Sequence, residues 1–317
     1  MSTITNSAPF PQKNLVTSLS WRENHPQLRE RSTLRLVAGL SDGCPAWLID
    51  RYGPGVTATH YGSTPKPEVM FENLQKLLPG EHLLFKFRDT DGRFDSLGTI
   101  EPWNCNSLGL KWEVRPDIRH DFGLFLDTHA SRTWVNSVAK NKKILNLFSY
   151  TCGFGLVAAQ GGAHQVTNID ASKDYLDWGR LNADLNGLDF RNFEDTVQKY
   201  MARHLRRLES SKDQAYDLIV ADPPAFLVGR GDDRLGRKLW PKLLSQLKMT
   251  QAPLLLLINN DRSFLKKRSW LAFVAEHLPA YQLEVLPHSP DCLGQDPKGV
   301  DPHYTVPDVL IARRPLP

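Results

Sequence analysis

The residues Asp222, Pro223, Pro224 and Phe226 close the apolar run YDLIVAD, which reads as a buried strand over 216–222. Proline has no backbone N–H to give a sheet ladder, so the strand must end at Asp222. The chain then enters a stiff turn with an apolar face, Pro224 and Phe226. Acceptors stand at its edge: the Asp222 carboxylate and the backbone around Pro223. Such a platform can stack on a planar base and fix its amino or imino groups. A second chemical group lies upstream, in SYTCGFG, where Gly153 and Gly155 permit tight turning and close approach of backbone to a ligand. Asp170 follows Gly153 by seventeen residues, at the end of QVTNID. A carboxylate there can accept from both hydroxyls of a ribose.

Residues 153–158 also fit GxGxxA, and that spacing alone does not separate NAD from S-adenosylmethionine (AdoMet). The strand ending in DPPAF separates them. A nicotinamide enzyme has no use for a base platform there, whereas an enzyme that methylates a planar base does. An NAD-dependent oxidoreductase stays as the rival reading. A catalytically silent RNA-binding assembly factor that keeps the fold is the third.

Elements must hold these groups. From residue 143 strands alternate with helices: KILNLFSY (143–150), the helix GFGLVAAQ, QVTNID (165–170), and a helix that Ser172 starts as N-cap and Gly187 stops. A weak strand around Phe190, a helix over about 196–208, YDLIVAD, a helix over about 238–248 and PLLLLINN follow. The helix FLKKRSWLAFVAEHL and the strands YQLEVLPH and DVLIARR complete the series. This predicts a Rossmann-like α/β fold with a mostly parallel seven-stranded sheet and ligands beyond the carboxyl ends of its strands. With no room for a helix between the last two strands, the last is expected to insert antiparallel as a hairpin. Before Pro116, short apolar stretches broken by Gly, Pro and Asp predict a small α+β domain over 25–116 with a mostly antiparallel sheet. Residues 1–24 read as a flexible tail and 117–317 as the catalytic domain.

The bulk properties narrow the class. The 317 residues are 41% hydrophobic and 23% charged with a formal charge of +4, which permits a polyanionic partner without demanding one. Cys44, Cys105, Cys152 and Cys292 are widely separated, which argues against a metal site and a disulfide framework and fits a reducing cytoplasm. No apolar run approaches the ~20 residues of a membrane span.

Four blocks carry a family resemblance: FGLFLDTHASR (122–132), ILNLFSYTCGFG with NIDASKDYLDWGRLNADLNGL (within 144–188), YDLIVADPPAF (216–226) and LLLINNDRSF (255–264). They resemble the class I AdoMet-dependent methyltransferases of large-subunit ribosomal RNA, above all the guanine-N7 half of the bifunctional bacterial 23S rRNA guanine methyltransferase. Upstream, RLVAGLSDGCPAWLIDRYG (35–53) is similar to the small domain that precedes the catalytic one in the wider family. The resemblance implies AdoMet as cofactor and 23S-type rRNA as partner. It implies that Asn146, Phe148, Ser149, Tyr150, Gly153 and Phe154 form the loop for the methionine part of AdoMet. Asp170 would hold the ribose hydroxyls, with Ala171 and Ser172 beside the adenine, and Asp195 would accept from the adenine amino group. Read from residues alone, Asp195 is equally the N-cap of the next helix. Phe125 and Asp127 would close over the cofactor. Asp222, Pro223, Pro224 and Phe226 would face the target base, and Asn259 and Asn260 would line the substrate side.

The sequence departs from the family pattern at His129, usually Arg, and at Cys152, usually a small residue such as Gly. No extra N-terminal RNA-binding module precedes residue 25, so RNA affinity is expected from the small domain and from basic segments. Arg230 and Arg234, with Arg237 and Lys238, come directly after DPPAF and are the expected phosphate contacts. Two further runs, Arg203, Arg206, Arg207 and Lys266, Lys267, Arg268, read more readily as solvated faces. His120 and His129 take no catalytic role.

The nucleophile sets what else the site needs. Carbon-5 of cytosine requires a cysteine thiolate adding to the ring, and no cysteine lies in DPPAF or INNDRS. Guanine N7 carries a lone pair and no proton, so it needs no base. An exocyclic amine would also fit DPPAF. On the favoured N7 reading Asp222 positions the base and removes no proton.

Overall fold

A computed structural model describes residues 10–64, 66–78, 82–88, 94–116, 122–211, 215–224, 235–260, 269–296 and 306–315. The chain forms two compact units, Met1–Asp127 with His288–Val306, and Thr128–Pro287 with Pro307–Pro317.

The first unit opens with α1 (Gln12–Asn24), β1 (Thr33–Ala38), β2 (Trp47–Tyr52), β3 (Gly55–Ser63), α2 (Pro67–Leu77), β4 (His82–Arg88) and β5 (Phe94–Gly98). The five strands pair in sequence order, antiparallel except for β3 with β4, which α2 connects. A separate hairpin joins β6 (Trp103–Ser107) to β7 (Leu110–Val114). The core is built on Trp47, Ile49 and Phe85, with the rings of Trp47 and Phe85 stacked 5.6 Å apart.

Part of the expected tail is a helix. In α1 the anchor is a charge: Arg22 is 1% exposed and pairs with the fully buried Asp42 carboxylate at 2.8 Å. The stretch QKNLVTSLSWREN buries only Leu15 among its apolar residues, so its pattern reads as polar and loose. The same network explains why residues 288–296 join this unit. Arg22 Nη2 donates to the Asp291 carbonyl at 2.8 Å, Asp291 accepts from the Arg35 N–H at 2.9 Å, and the Gln295 N–H donates to Asp42 at 3.1 Å.

The second unit carries α3 (His129–Val138), β8 (Lys143–Leu147), α4 (Gly153–Gln160), β9 (Gln165–Asp170), α5 (Lys173–Asp184), β10 (Arg191–Glu194) and α6 (Val197–Ser210). It continues with β11 (Leu218–Ala221), α7 (Leu235–Thr250), β12 (Leu254–Asn259), α8 (Trp270–His277) and β13 (Gln282–Val285). After α9 (Pro290–Leu293) of the first unit, β14 (Asp308–Arg313) completes it. The strand order is β10-β9-β8-β11-β12-β14-β13. All pairings from β10 through β12 are parallel, and β14 inserts antiparallel between β12 and β13. A dinucleotide sheet of order 3-2-1-4-5-6 lacks that insertion. The runs KILNL, LIVA and LLLLIN are buried almost throughout because helices cover both faces of a parallel sheet. One face packs Leu145, Ile219 and Leu255 against Trp240 and Leu244 of α7 and Trp270 of α8. Each such side chain contributes about 1.5–3 kcal/mol of burial.

The final strand thus lies where alternation placed it, but no tight hairpin delivers it. The short helix α9 sits in the connection, which departs into the first unit because Asp291 and Gln295 bind there. Helix α8 starts at its N-cap Ser269, whose hydroxyl accepts from the Ala272 N–H at 3.2 Å. The expected start of that helix, at 264–268, lies outside the described residues.

Candidate active site

The site begins with register. Leu147, the last residue of β8, pairs with Ala221 of β11 on one side and Ile169 of β9 on the other. The loop from Phe148 and the turn from Asp222 therefore leave the sheet side by side. That loop is wound by left-handed backbone at Phe148 (φ 57°), Tyr150 (φ 49°) and Cys152 (φ 60°). Non-glycine residues in this region cost about 1–3 kcal/mol each and cluster at ligand sites.

The turning expected of Gly153 and Gly155 is done by these three residues, since neither glycine has positive φ. Gly155 instead permits close packing: a Cβ there would collide with the Asn168 amide. The φ of Cys152 also accounts for the small residue that the family usually has at this position, because glycine adopts that conformation freely.

The Asp170 carboxylate ties the loop to the next turn. One oxygen accepts from the Tyr150 N–H at 2.8 Å and the other from the Ser172 N–H at 2.9 Å. Burial raises its pKa above the ordinary 3.8, against the lowering effect of these backbone donors. The Ala171 N–H is a third backbone donor, which leaves part of the carboxylate's roughly four-site acceptor capacity for a ribose hydroxyl. Ala171 is exposed beside it, and Ser172 caps α5 as expected, with its Oγ accepting from the Tyr175 N–H at 3.4 Å. Tyr150 sets its ring edge-on to Tyr175 at 4.5 Å, Ser149 is buried, and Phe154 is 7% exposed.

Beneath α4 runs an amide ladder that sequence reading missed. Asn146 of β8, Asn168 of β9 and Asn192 of β10 are register partners, and their side chains bond in series. Asn146 Nδ2 donates to Asn168 Oδ1 at 2.9 Å, Asn168 Nδ2 donates to Asn192 Oδ1 at 3.1 Å, and Asn192 Nδ2 donates to the Leu176 carbonyl at 3.0 Å. The ladder leaves one acceptor over: Asn146 Oδ1, fully buried and without a partner. The signal was a single Asn inside each of three runs, KILNL, QVTNID and RNFE.

On the substrate side Asn260 Nδ2 donates to Asp222 Oδ1 at 2.7 Å and to the Pro223 carbonyl at 3.0 Å. One amide thus clamps both acceptors of the turn, with Pro223 buried and Pro224 exposed. Asn259 does not share this role. It is 3% exposed and accepts from Trp240 Nε1 at 3.3 Å, on the core face of the strand. Alternation along β12 sends neighbouring side chains to opposite faces.

Asp195 lies beside Asp170, its N–H donating to the Asp170 carbonyl at 2.9 Å. It is not the N-cap of α6; Thr196 is, accepting from the Lys199 N–H at 3.4 Å. The Asp195 carboxylate pairs with Arg203 and accepts from the Thr196 N–H at 2.8 Å. Phe125, 44% exposed, and the half-buried Asp127 belong to the first unit. Phe226, Arg230 and Arg234 lie outside the described residues, as do His120, Lys266, Lys267, Arg268 and the side chains of Arg237 and Lys238. His129 is the first residue of α3.

The residues fit AdoMet on structural grounds. A loop wound by left-handed backbone at Phe148, Tyr150 and Cys152, the acceptor Asn146 Oδ1 beneath it and a carboxylate at the end of β9 lie together at the carboxyl edge of the sheet. Among the described residues no group of three His, Cys, Asp or Glu side chains could hold a metal, and no helix is long and apolar enough to cross a membrane.

Known structures place this architecture in a class. A methyltransferase crystallised with SAH aligns over 95% of this chain and 80% of its own, with a TM-score of 0.75 at 21% identity. An SAM-dependent methyltransferase from Agrobacterium tumefaciens aligns over 89% and 90%, with a TM-score of 0.62 at 24% identity. The fold is that of the class I methyltransferases. More specifically, the chain belongs to the S-adenosylmethionine-dependent methyltransferase family, whose model matches residues 77–268. It is 35% identical over 206 residues to Ribosomal RNA large subunit methyltransferase I of Aeromonas salmonicida (strain A449), covering 61% of this chain and 51% of that protein. The protein of the same name from Shigella boydii serotype 18 is 32% identical over 234 residues, covering 69% and 58%. The chain therefore spans between half and three fifths of the length of these relatives.

Proposed function

We propose that the chain is an AdoMet-dependent RNA methyltransferase acting on a base of large-subunit ribosomal RNA, with guanine N7 as the favoured atom. The observation that carries this reading is the Asp222-Pro223-Pro224 turn, clamped by Asn260 and leaving the sheet directly beside the Phe148–Gly155 loop. The names of the relatives support RNA of the large subunit as the substrate, which belongs in the cytoplasm. The first unit serves that substrate and the second carries catalysis.

AdoMet supplies a methyl group on an electrophilic sulfonium. The protein's task is alignment and exclusion of water. Asp170 holds the ribose hydroxyls, Asn146 and the loop through Phe154 hold the methionine part, and Asp195, Ala171 and Ser172 border the adenine. Pro224 and Phe226 stack on the target base, Asp222 and Asn260 orient it, and Arg230 and Arg234 take phosphates.

Two features favour a nucleophile that needs no help. All four cysteines are buried, and burial pushes the Cys44 and Cys152 thiols up to about 12 and raises Cys292 well above the ordinary thiol range. None supplies the thiolate that cytosine C5 requires. Guanine N7 carries a lone pair and no proton, so Asp222 and the Pro223 carbonyl, which keep acceptor capacity beside Asn260, need only orient the base.

Methylation of 23S rRNA with labelled AdoMet, followed by mass spectrometry of the nucleosides, tests this. N7-methylguanosine is expected; 5-methylcytidine as the product, or micromolar NAD binding without AdoMet binding, sinks the reading. Asp170 adds a pH test. Its ionised form accepts the ribose hydroxyls, so SAH affinity should rise with pH through its raised pKa, above 3.8, and then level off. Calorimetry across this range should show proton release on binding. Asp170→Asn should weaken binding by about 10–100-fold and remove the pH dependence. A variant with wild-type affinity would remove Asp170 from the site.

A further inference from the structure

We propose that the exposed face of α6 is a second RNA contact, a track for the phosphate backbone away from the target-base turn. This rests on the RNA-methyltransferase reading. Lys199, Arg203, Arg206 and Arg207 fall at i, i+4, i+7 and i+8, so they share one side of the helix. They extend over about 12 Å along its axis. The other side is fixed in the core by Val197, Tyr200, Met201 and His204, which prevents the stripe from turning inward. Arg203, Arg206, Arg207, Ser210 and Ser211 line an open depression of about 520 Å³, so three guanidinium-bearing side chains border one surface.

The charge is arranged against the helix's own interest. Lys199 with Arg203 and Arg203 with Arg207 are like-charge i,i+4 pairs, which destabilise a helix. A solvated face is usually laced with acids at that spacing. Here Arg203 alone has a carboxylate partner, Asp195, and among the described residues none pairs with Arg206 or Arg207. The helix dipole favours a cation in the last turn and so accounts for Arg207, not for the stripe. A polyanion fits the whole set, because guanidinium groups bind phosphate bidentately. With a formal charge of only +4 on the chain, this clustering is local.

The test is a salt series of 23S rRNA fragment binding with wild type, R206Q/R207Q and R206K/R207K. Each lost phosphate contact lowers the slope of log K against log salt by about 0.7–0.9. R206Q/R207Q should therefore show a slope lower by about 1.4–1.8 and roughly tenfold weaker RNA binding at low salt. Its SAH affinity, helix content and rate at saturating RNA should be unchanged, with KM for RNA raised; R206K/R207K should keep most of the slope. An R206Q/R207Q protein with wild-type slope and affinity would overturn the proposal. So would a loss confined to binding of polyglutamate, which would point to an acidic protein partner. Failure of the underlying reading looks different: wild type itself then neither methylates RNA nor binds it in a salt-dependent way.

Discussion

Asp222→Ala is expected to lower kcat/KM for RNA methylation by about 100-fold while SAH affinity stays within about twofold. The basis is the role of Asp222 in orienting the base. A charge-assisted hydrogen bond lost from a desolvated site costs about 1.5–3 kcal/mol, and each 1.36 kcal/mol of barrier is a factor of about ten. Misplacement of a base that must attack in line adds to this. The substitution also releases Asn260 Nδ2 from one of its two acceptors, so the Pro223 carbonyl loses part of its anchor. Asn260→Ala should give a smaller loss, and the double variant little more than Asp222→Ala, because both changes break one clamp. Single-turnover assays with equilibrium SAH binding separate the two effects. A variant with wild-type turnover would remove Asp222 from the reaction, and equal methylation by both proteins of every RNA offered would favour a catalytically silent assembly factor.

The second large effect concerns stability. Asp42→Ala should destabilise the first unit by about 3–5 kcal/mol, the cost of leaving a buried charge unpaired. Arg22 would keep its place at 1% exposure with both Asp42 oxygens gone. The Ala38 N–H, 2.7 Å from Asp42 Oδ2, and the Gln295 N–H would lose their acceptor as well. The expected readout is an early urea transition with the later one unmoved. The double variant R22M/D42L should recover most of the loss, since an apolar pair of similar volume can replace a buried ion pair. A loss below about 1 kcal/mol for Asp42→Ala would mean that the network carries little of the unit's stability.

The second unit was legible because two signals agreed: apolar runs long enough for buried strands, and helical runs between them, one of them bounded by Ser172 and Gly187. Its candidate site was legible as position where a residue type has few other reasons to occur: DPP follows a strand and Asp170 ends one, and both lie at the carboxyl edge of the sheet. Reading failed where the stabilising partner is distant or polar. Helix α1 reads as a tail because its anchor, Arg22, finds Asp42 and the Asp291 carbonyl only after folding. The last connection reads as a hairpin because its affinity for the first unit rests on Asp291 and Gln295. Asn259 and Asn260 looked equivalent until strand alternation sent one to Trp240 and the other to Asp222.

By itself, then, the sequence determined the strand and helix alternation, the antiparallel last strand, the loop after KILNL and the proline-stopped turn after LIVAD. Each of these comes from local periodicity, backbone restriction or a short motif. Only the tertiary structure decided that Phe148, Tyr150 and Cys152 turn the loop in place of the glycines. It alone joined Asn146, Asn168 and Asn192 into one ladder and drew residues 288–296 into the first unit. The reason is common to all three. A positive φ on a bulky residue, a side-chain ladder and a buried ion pair each have a local cost, and only contacts between residues far apart in the chain offset it.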